Sequence, residues 1–225
     1  MIKTINRWEI FRISILVTTA SSVFFVLLKS FLSPSFTGAK VAALVFPATV
    51  PLKEWQQITS PSLDIKKDEI SKEDSAKSYR YIQNNLFLDI EMHYLPSSDG
   101  NVLKLVKLYD QLGASQISPD IRQQPEIGHY GLFTHQNKAS LSACINSQRN
   151  STFKAEQFVQ NQLNVDVISK RFIPWLFSGE SLRDRRCLLV KLSVPLDNYS
   201  AKDAYLILEQ AWFNWYQWWQ PRLPS

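Results

Sequence analysis

From Ile13 to Leu32 the chain reads ISILVTTASSVFFVLLKSFL, an apolar run broken by one charge, Lys29. A helix rises ~1.5 Å per residue, so such a run covers ~30 Å, about the hydrocarbon thickness of a bilayer. Most of its side chains are Ile, Leu, Val or Phe, which favour insertion. Ser14, Thr18, Thr19, Ser21 and Ser22 oppose it, although hydroxyls in a helix can bond back to carbonyls one turn earlier. Lys29 lies near one end, where its long stem lets the ammonium reach the interface. The pattern predicts one membrane span over 13–32; a buried helix of a soluble core is the alternative. Lys3, Arg7 and Arg12 precede the span against Glu9 alone, which places residues 1–12 on the cytoplasmic side and the rest of the chain across the plasma membrane. A cleaved signal peptide competes with this reading. Its best cleavage point, after Ala43, lies too far from the apolar run, so an uncleaved anchor is favoured.

Beyond the span the periodicity changes several times. Residues 33–78 are predicted as a linker and an extended lead-in segment, with Pro47, Pro51 and Trp55, followed by a polar loop or short exposed helix from Ser60 to Ser78. A globular domain is expected over 79–225. Tyr79–Gln83 and Leu86–Tyr94 read as a hairpin turning at Asn84-Asn85, because Asn tolerates the positive φ of a two-residue turn. In its second strand Leu86, Leu88, Ile90, Met92 and Tyr94 form a core face, while Phe87, Asp89, Glu91 and His93 form a partly wet one. Val102, Leu105, Val106 and Tyr109 then recur at helical spacing up to a stop at Gly113. Residues 113–128 are predicted as a loop. His129–Gln136 and Ala139–Ile145 make a second hairpin turning at Asn137-Lys138. A helix capped by Ser151 or Thr152 is expected to run to about Leu163, burying Phe158 and Leu163 with Phe153 or Val159. Val165–Ile168 could be a strand, Ile173–Phe177 is a compact apolar block, and Arg186–Val194 reads as a buried strand. In the final helix, opened by Ser200 and Asp203, the residues Tyr205, Leu208, Trp212, Trp215 and Trp219 share one face. Strand pairs interleaved with three to four helices define an α+β domain.

Composition removes one class of partner. The net charge is +5, but residues 1–32 hold four Lys/Arg against one Glu, leaving 21 Lys/Arg against 19 Asp/Glu beyond the span. No large basic excess remains to neutralise phosphates, so nucleic-acid binding loses its support.

The candidate chemistry is sparse. Cys144 and Cys187 are the only cysteines, an even count in an exported domain. They could form a disulfide if their strands are neighbours; the alternative is two unrelated buried thiols. A Cys–His nucleophile pair has no supporting motif, since His93, His129 and His135 show no characteristic spacing to either cysteine. HExxH, CxxC, P-loop and GxGxxG patterns are absent, so neither a metal nor a cofactor is expected and no catalytic residue is assigned. Arg183-Asp184-Arg185-Arg186 is either a solvated face with internal ion pairs or a site for an acidic group. Asn150-Ser151-Thr152 and Asn198-Tyr199-Ser200 match the glycosylation sequon but also read as helix caps. Four of the seven tryptophans, Trp212, Trp215, Trp218 and Trp219, fall in the last helix. Core packing is the favoured role, with Trp218 left for an interface; a helix lying on the membrane is the alternative.

Five stretches in order, FPATVPLKEWQ (46–56), YRYIQNNLFLDIEMHYL (79–95), GLFTHQNKASLSACINSQRNSTF (131–153), IPWLFSGESLRDRRCLLVKLSVPL (173–196) and LEQAWFNWYQWWQPRLP (208–224), follow a single N-terminal span. Together they resemble the cyanoexosortase A system-associated proteins, over nearly the whole chain beyond the anchor. The resemblance implies an accessory role at the outer face of the plasma membrane, in sorting of PEP-CTERM-type exported proteins. The implied partners are a multi-span sorting transpeptidase (an exosortase) and its cargo. It carries over no catalytic residue. Within the matching stretches it directs attention to Cys144, Asn146, Ser151, Thr152, Trp175, Asp184, Arg186 and Cys187. The transpeptidase itself has several spans and a membrane Cys/Arg/His set, and its cargo ends in a C-terminal span and a basic tail; this chain has neither pattern. A binding module for envelope polysaccharide and, less favoured, an anchored thiol hydrolase are the alternatives.

Overall fold

Helix α1 runs from Arg7 to Leu32, starting several residues before the apolar run itself. Its window Arg7–Leu28 has a mean hydropathy of 2.0, and every side chain in it is exposed. A helix apolar all round suits lipid, and α1 fits a single-pass membrane anchor. Three of its hydroxyls bond back to carbonyls of the helix. Thr18 donates to the Ser14 carbonyl at 2.8 Å, Thr19 to Ile15 at 2.9 Å and Ser22 to Thr19 at 2.8 Å. This back-bonding removes most of the penalty a hydroxyl carries in hydrocarbon.

The computed structural model describes residues 7–32, 44–59, 75–110, 112, 117–163 and 184–223. The chain divides into two compact units, Met1–Ala39 and Lys40–Ser225. The second unit is built on one eight-stranded sheet of β1 (Gln56–Thr59), β2 (Ser75–Gln83), β3 (Leu86–Leu95), β4 (Asp120–Gln124), β5 (Gly128–His135), β6 (Lys138–Asn146), β7 (Ser151–Thr152) and β8 (Cys187–Pro195). Their order is β1-β2-β3-β8-β6-β7-β5-β4, and β6 also pairs directly with β5. All pairings are antiparallel except that of Gly128 on β5 with Ser151 on β7. The late strand β8 lies between β3 and β6, so the sheet centre pairs β3 with residues about a hundred positions later.

Helix α4 (Ala201–Trp219), followed by a 3₁₀ turn at Gln220–Arg222, covers one face of the sheet. Strand alternation delivers Leu88, Ile90, Met92, Leu141, Ala143, Val190 and Leu192 to that face, and Leu208, Trp212, Trp215 and Trp219 fill it from the helix. Ser200 caps α4 by accepting from the Asp203 N–H at 3.2 Å. Its middle is fastened by Glu209, which accepts from Arg122 at 3.0 Å and from the Tyr130 hydroxyl at 2.6 Å. Helices α2 (Val102–Tyr109) and α3 (Ala155–Gln162) contribute to a second core, with Leu95, Val102, Val106, Phe133, Cys144, Phe153, Phe158, Cys187 and Leu189.

The α+β class, the first hairpin and the final helix match the expectation, and Asn84 and Asn85 turn that hairpin at φ 48° and 64°. Other expectations need correction. Strand β2 begins at Ser75 within the expected polar loop, because its pairing with β3 continues to Tyr94. Val50 and Leu52, in the lead-in segment, are core residues, and the Tyr81 hydroxyl donates to the Val50 carbonyl at 2.8 Å. Strand β4 lies where a loop was predicted; as an edge strand it tolerates the flanking Pro119 and Pro125. The second hairpin turns one residue early, with Gln136 and Asn137 at φ 47° and 59°. Ser151 and Thr152 are strand, not cap. The Gln157 side chain opens α3 instead, accepting from the N–H groups of Phe153 and Lys154, each at 2.9 Å. Leu163 is 46% exposed, since α3 ends at Gln162 and turns it outward. The predictions at 165–168 and 173–177, Trp175 included, lie outside the described residues, as does Gly113.

Candidate functional site

Seven of the eight positions singled out by the resemblance converge on one end of β6 and β8. Cys144 and Cys187 are diagonal neighbours there, Cys144 facing Leu189 and Cys187 facing Asn146. Their sulfurs are bonded, their Cα atoms are 5.6 Å apart, and both residues are fully buried. Neither sulfur is available as a nucleophile in this state. Asn146 organises the turn beyond β6: its Oδ1 accepts from the N–H groups of Gln148 and Asn150, both at 3.0 Å. Ser151 donates to the His129 carbonyl at 2.7 Å, and Thr152 to the Cys144 carbonyl at 3.3 Å. The parallel contact of β7 with β5 is close enough that a Cβ on Gly128 (φ +109°) would lie 2.2 Å from the Ser151 carbonyl oxygen.

Asp184 and Arg186 form a forked ion pair, with Arg186 Nε 2.8 and 2.9 Å from the two carboxylate oxygens. The backbone carbonyl of Asp184 accepts from Gln162 at 2.7 Å, which ties α3 to the start of β8. The hydrogen bonds that Arg186 donates to Asp184 raise the Arg186 pKa against the pull of burial. Both reacting groups of the pair are committed to each other, so this arrangement braces rather than recruits an external acid. A recess lined by Tyr94, Asn146, Arg186, Cys187 and Leu223 adjoins it; its ≈ 10 Å³ fits about one water, far below what a small-molecule substrate needs. Asn146 Nδ2 is buried beside it without a hydrogen-bond partner.

A second polar cluster, not singled out from the sequence, lies on the sheet face away from α4. Lys191 on β8 faces Glu91 on β3 in register, with Nζ 3.0 Å from Oε2, and also donates to Asp110 just beyond α2. Burial draws the lysine pKa down, but the two carboxylates outweigh it and the net shift is upward. Ser142 faces Lys191 from β6, and its hydroxyl has no hydrogen-bond partner. A serine nucleophile needs a neutral lysine as its base, which two carboxylates deny it. The visible signal was Lys191 itself, a lone charge in an otherwise apolar strand that had to meet an acid.

His93 completes this cluster. Its ring stacks on Tyr109 with centroids 4.0 Å apart, the residue is 9% exposed, and Nδ1 is unpaired. Burial, then the Lys191 charge, push its pKa from 6.5 down to about 4, against a smaller upward pull from Asp110. The folded state thus binds the proton less readily than the unfolded state. Stability is full above pH 6.5 and is lost as the pH falls toward about 4, by up to ~3 kcal/mol. His93→Phe keeps the stacked ring and is expected to flatten that part of the profile. Denaturant midpoints between neutral and acid pH check it, and an unchanged slope in the variant would contradict the assignment.

The tryptophans divide. Trp212, Trp215 and Trp219 are buried in the core with unpaired indole N–H groups, and Trp218 is partly exposed. Trp215 meets Tyr79 and Tyr81 edge-on at 5.3 and 6.1 Å, which sets its N–H among aromatic rings. No group of metal-ligating side chains occurs among the described residues. Comparison of the chain with protein-family models, with curated proteins and with solved structures finds no match.

Proposed function

We propose that this chain is a non-catalytic accessory protein of an exosortase-type (PEP-CTERM) sorting system. In this reading α1 holds it in the plasma membrane with the N-terminus cytoplasmic, and the sheet domain works at the outer face by contact with the sorting transpeptidase or its cargo. The observation that carries the proposal is α1, an apolar helix of spanning length, exposed throughout Arg7–Leu28, that precedes a folded domain in the chain. The ordered motifs shared in appearance with exosortase-associated proteins supply the partner. The domain's polar clusters fit the same reading, because their charges are spent on internal pairs.

The test is photo-cross-linking of the intact chain in its native membrane, with reactive groups on exposed sites such as Phe87 and Leu206. The expected adduct is a multi-span membrane protein or a PEP-CTERM cargo. Removal of 200–225, a simple way to delete the Trp-rich region, is unsuitable because it removes the helix that fills one side of the main core. Point changes on the surface keep the domain intact.

A further inference from the structure

His93 sits where three elements meet. It pairs in register with Ala76 of β2 and Leu189 of β8, neither of which carries a charge, and the Tyr109 ring of α2 lies over it. Neutral imidazole carries one N–H, whereas imidazolium needs one on each nitrogen. Nδ1 is buried and faces no acceptor, so a proton placed there would leave a charged donor without a partner. Among the described residues, Lys191 of β8 repels that charge, and Asp110, just beyond α2, attracts it more weakly. Glu91, two residues away on β3, is paired with Lys191.

The two ends of α2 are held by different kinds of contact. At its start Asn101 Oδ1 accepts from the Lys104 N–H at 3.1 Å, and the Val102 N–H donates to the Phe153 carbonyl at 3.1 Å. Neither bond involves a group that titrates between neutral and acid pH. At its end Tyr109 stacks on His93, and Asp110 accepts from Lys191. Both of these contacts border on His93. Lys191 keeps Glu91 at 3.0 Å when Asp110 leaves, so opening at this end strands no buried cation.

We propose that the last turn of α2 is an acid-released latch: uptake of a proton by His93 lifts Tyr109 and Asp110 from the sheet while the Asn101 end stays fastened. Water then solvates the new N–H, and the part of the second core beneath Val106 is uncovered. Release is local, because β3, β8 and α4 keep their own pairing. Its direction follows from linkage. The closed latch binds the proton less readily than the open one, so closure is complete above pH 6.5 and gives way as the pH falls toward about 4.

Amide hydrogen exchange of the intact chain in detergent, corrected for the intrinsic pH dependence of exchange, tests the latch. The opening equilibrium at the amides of 106–110 is expected to be ~20-fold higher at pH 5 than at pH 7, the ratio set by His93 titrating at 6.5 when released and at about 4 when covered. Urea below the unfolding transition should leave these rates unchanged, as for local opening, while the slower rates of α4 should rise with it. His93→Phe keeps the stacked ring and should abolish the pH dependence at 106–110. The urea series needs no substitution, so it decides the matter even where the variant folds poorly. Rates at 106–110 that are equal at the two pH values, that rise with urea in step with α4, or that keep their pH dependence in His93→Phe overturn the latch.

Discussion

Trp215→Ala is expected to lower the stability of the sheet domain by about 4 kcal/mol. The side chain is fully buried between α4 and the sheet, in contact with Tyr79, Tyr81 and Trp219, and its loss leaves a void that α4 cannot close without moving its other anchors. Trp215→Phe should recover most of this, because it restores a ring and removes a buried N–H that has no partner. Trp218→Ala should cost less than about 1 kcal/mol, as expected at a partly exposed position away from such features. Denaturant unfolding of the intact chain in detergent, followed by near-ultraviolet circular dichroism, compares the three. A Trp218→Ala loss equal to that of Trp215→Ala would mean that α4 presents a different face to the sheet.

Removal of the Cys144–Cys187 link is the second large effect. The bond closes a separation of 43 residues, for which loop-closure entropy predicts a loss of about 4 kcal/mol. Cys144→Ala with Cys187→Ala tests this by the shift in denaturant midpoint. Both sulfurs are fully buried, so a mild reductant should act only once denaturant has opened the domain. Thiol labelling after reduction, read against denaturant concentration, checks that order. Rapid native-state labelling, or an unshifted midpoint in the double variant, would show that the bond does not brace the sheet.

Local pattern explains which parts of this architecture were legible from the amino-acid order. The β2–β3 hairpin announces itself because strict alternation from Leu86 to Tyr94 flanks an Asn-Asn turn, and both signals are short-range. Helix α4 is equally plain, since large apolar residues at three- and four-residue steps admit one buried face. The placement of β8 is different. RCLLVKLSV reads as a buried strand, yet its seat between β3 and β6 depends on contacts far along the chain. Strand β4 was hidden because DIRQQ lacks apolar alternation; its place is held by edge pairing and by Arg122 bonded to Glu209 on α4. Ser151 and Thr152 carry cap chemistry, but Gly128 gives β7 a backbone groove to pair in, and the helix starts later.

The candidate sites follow the same division. The positions around Cys144 and Arg186 were found through motif order and prove to be one assembly at the end of the sheet. The Lys191–Glu91–Asp110 cluster was missed because its members come from β8, β3 and the end of α2, and no sequence spacing links three separate elements. His93 was seen only as part of a wet face; the stacked Tyr109 that buries it belongs to α2.

The central claim is that a single span carries a folded domain whose work is contact. Mass-spectrometric identification of the adducts formed by the photo-reactive, intact chain in its native membrane tests it most directly. A recurrent adduct is expected with a multi-span protein bearing the membrane Cys/Arg/His set, or with a cargo ending in a C-terminal span and basic tail. Adducts with lipid alone, or with proteins unrelated to export, would contradict it.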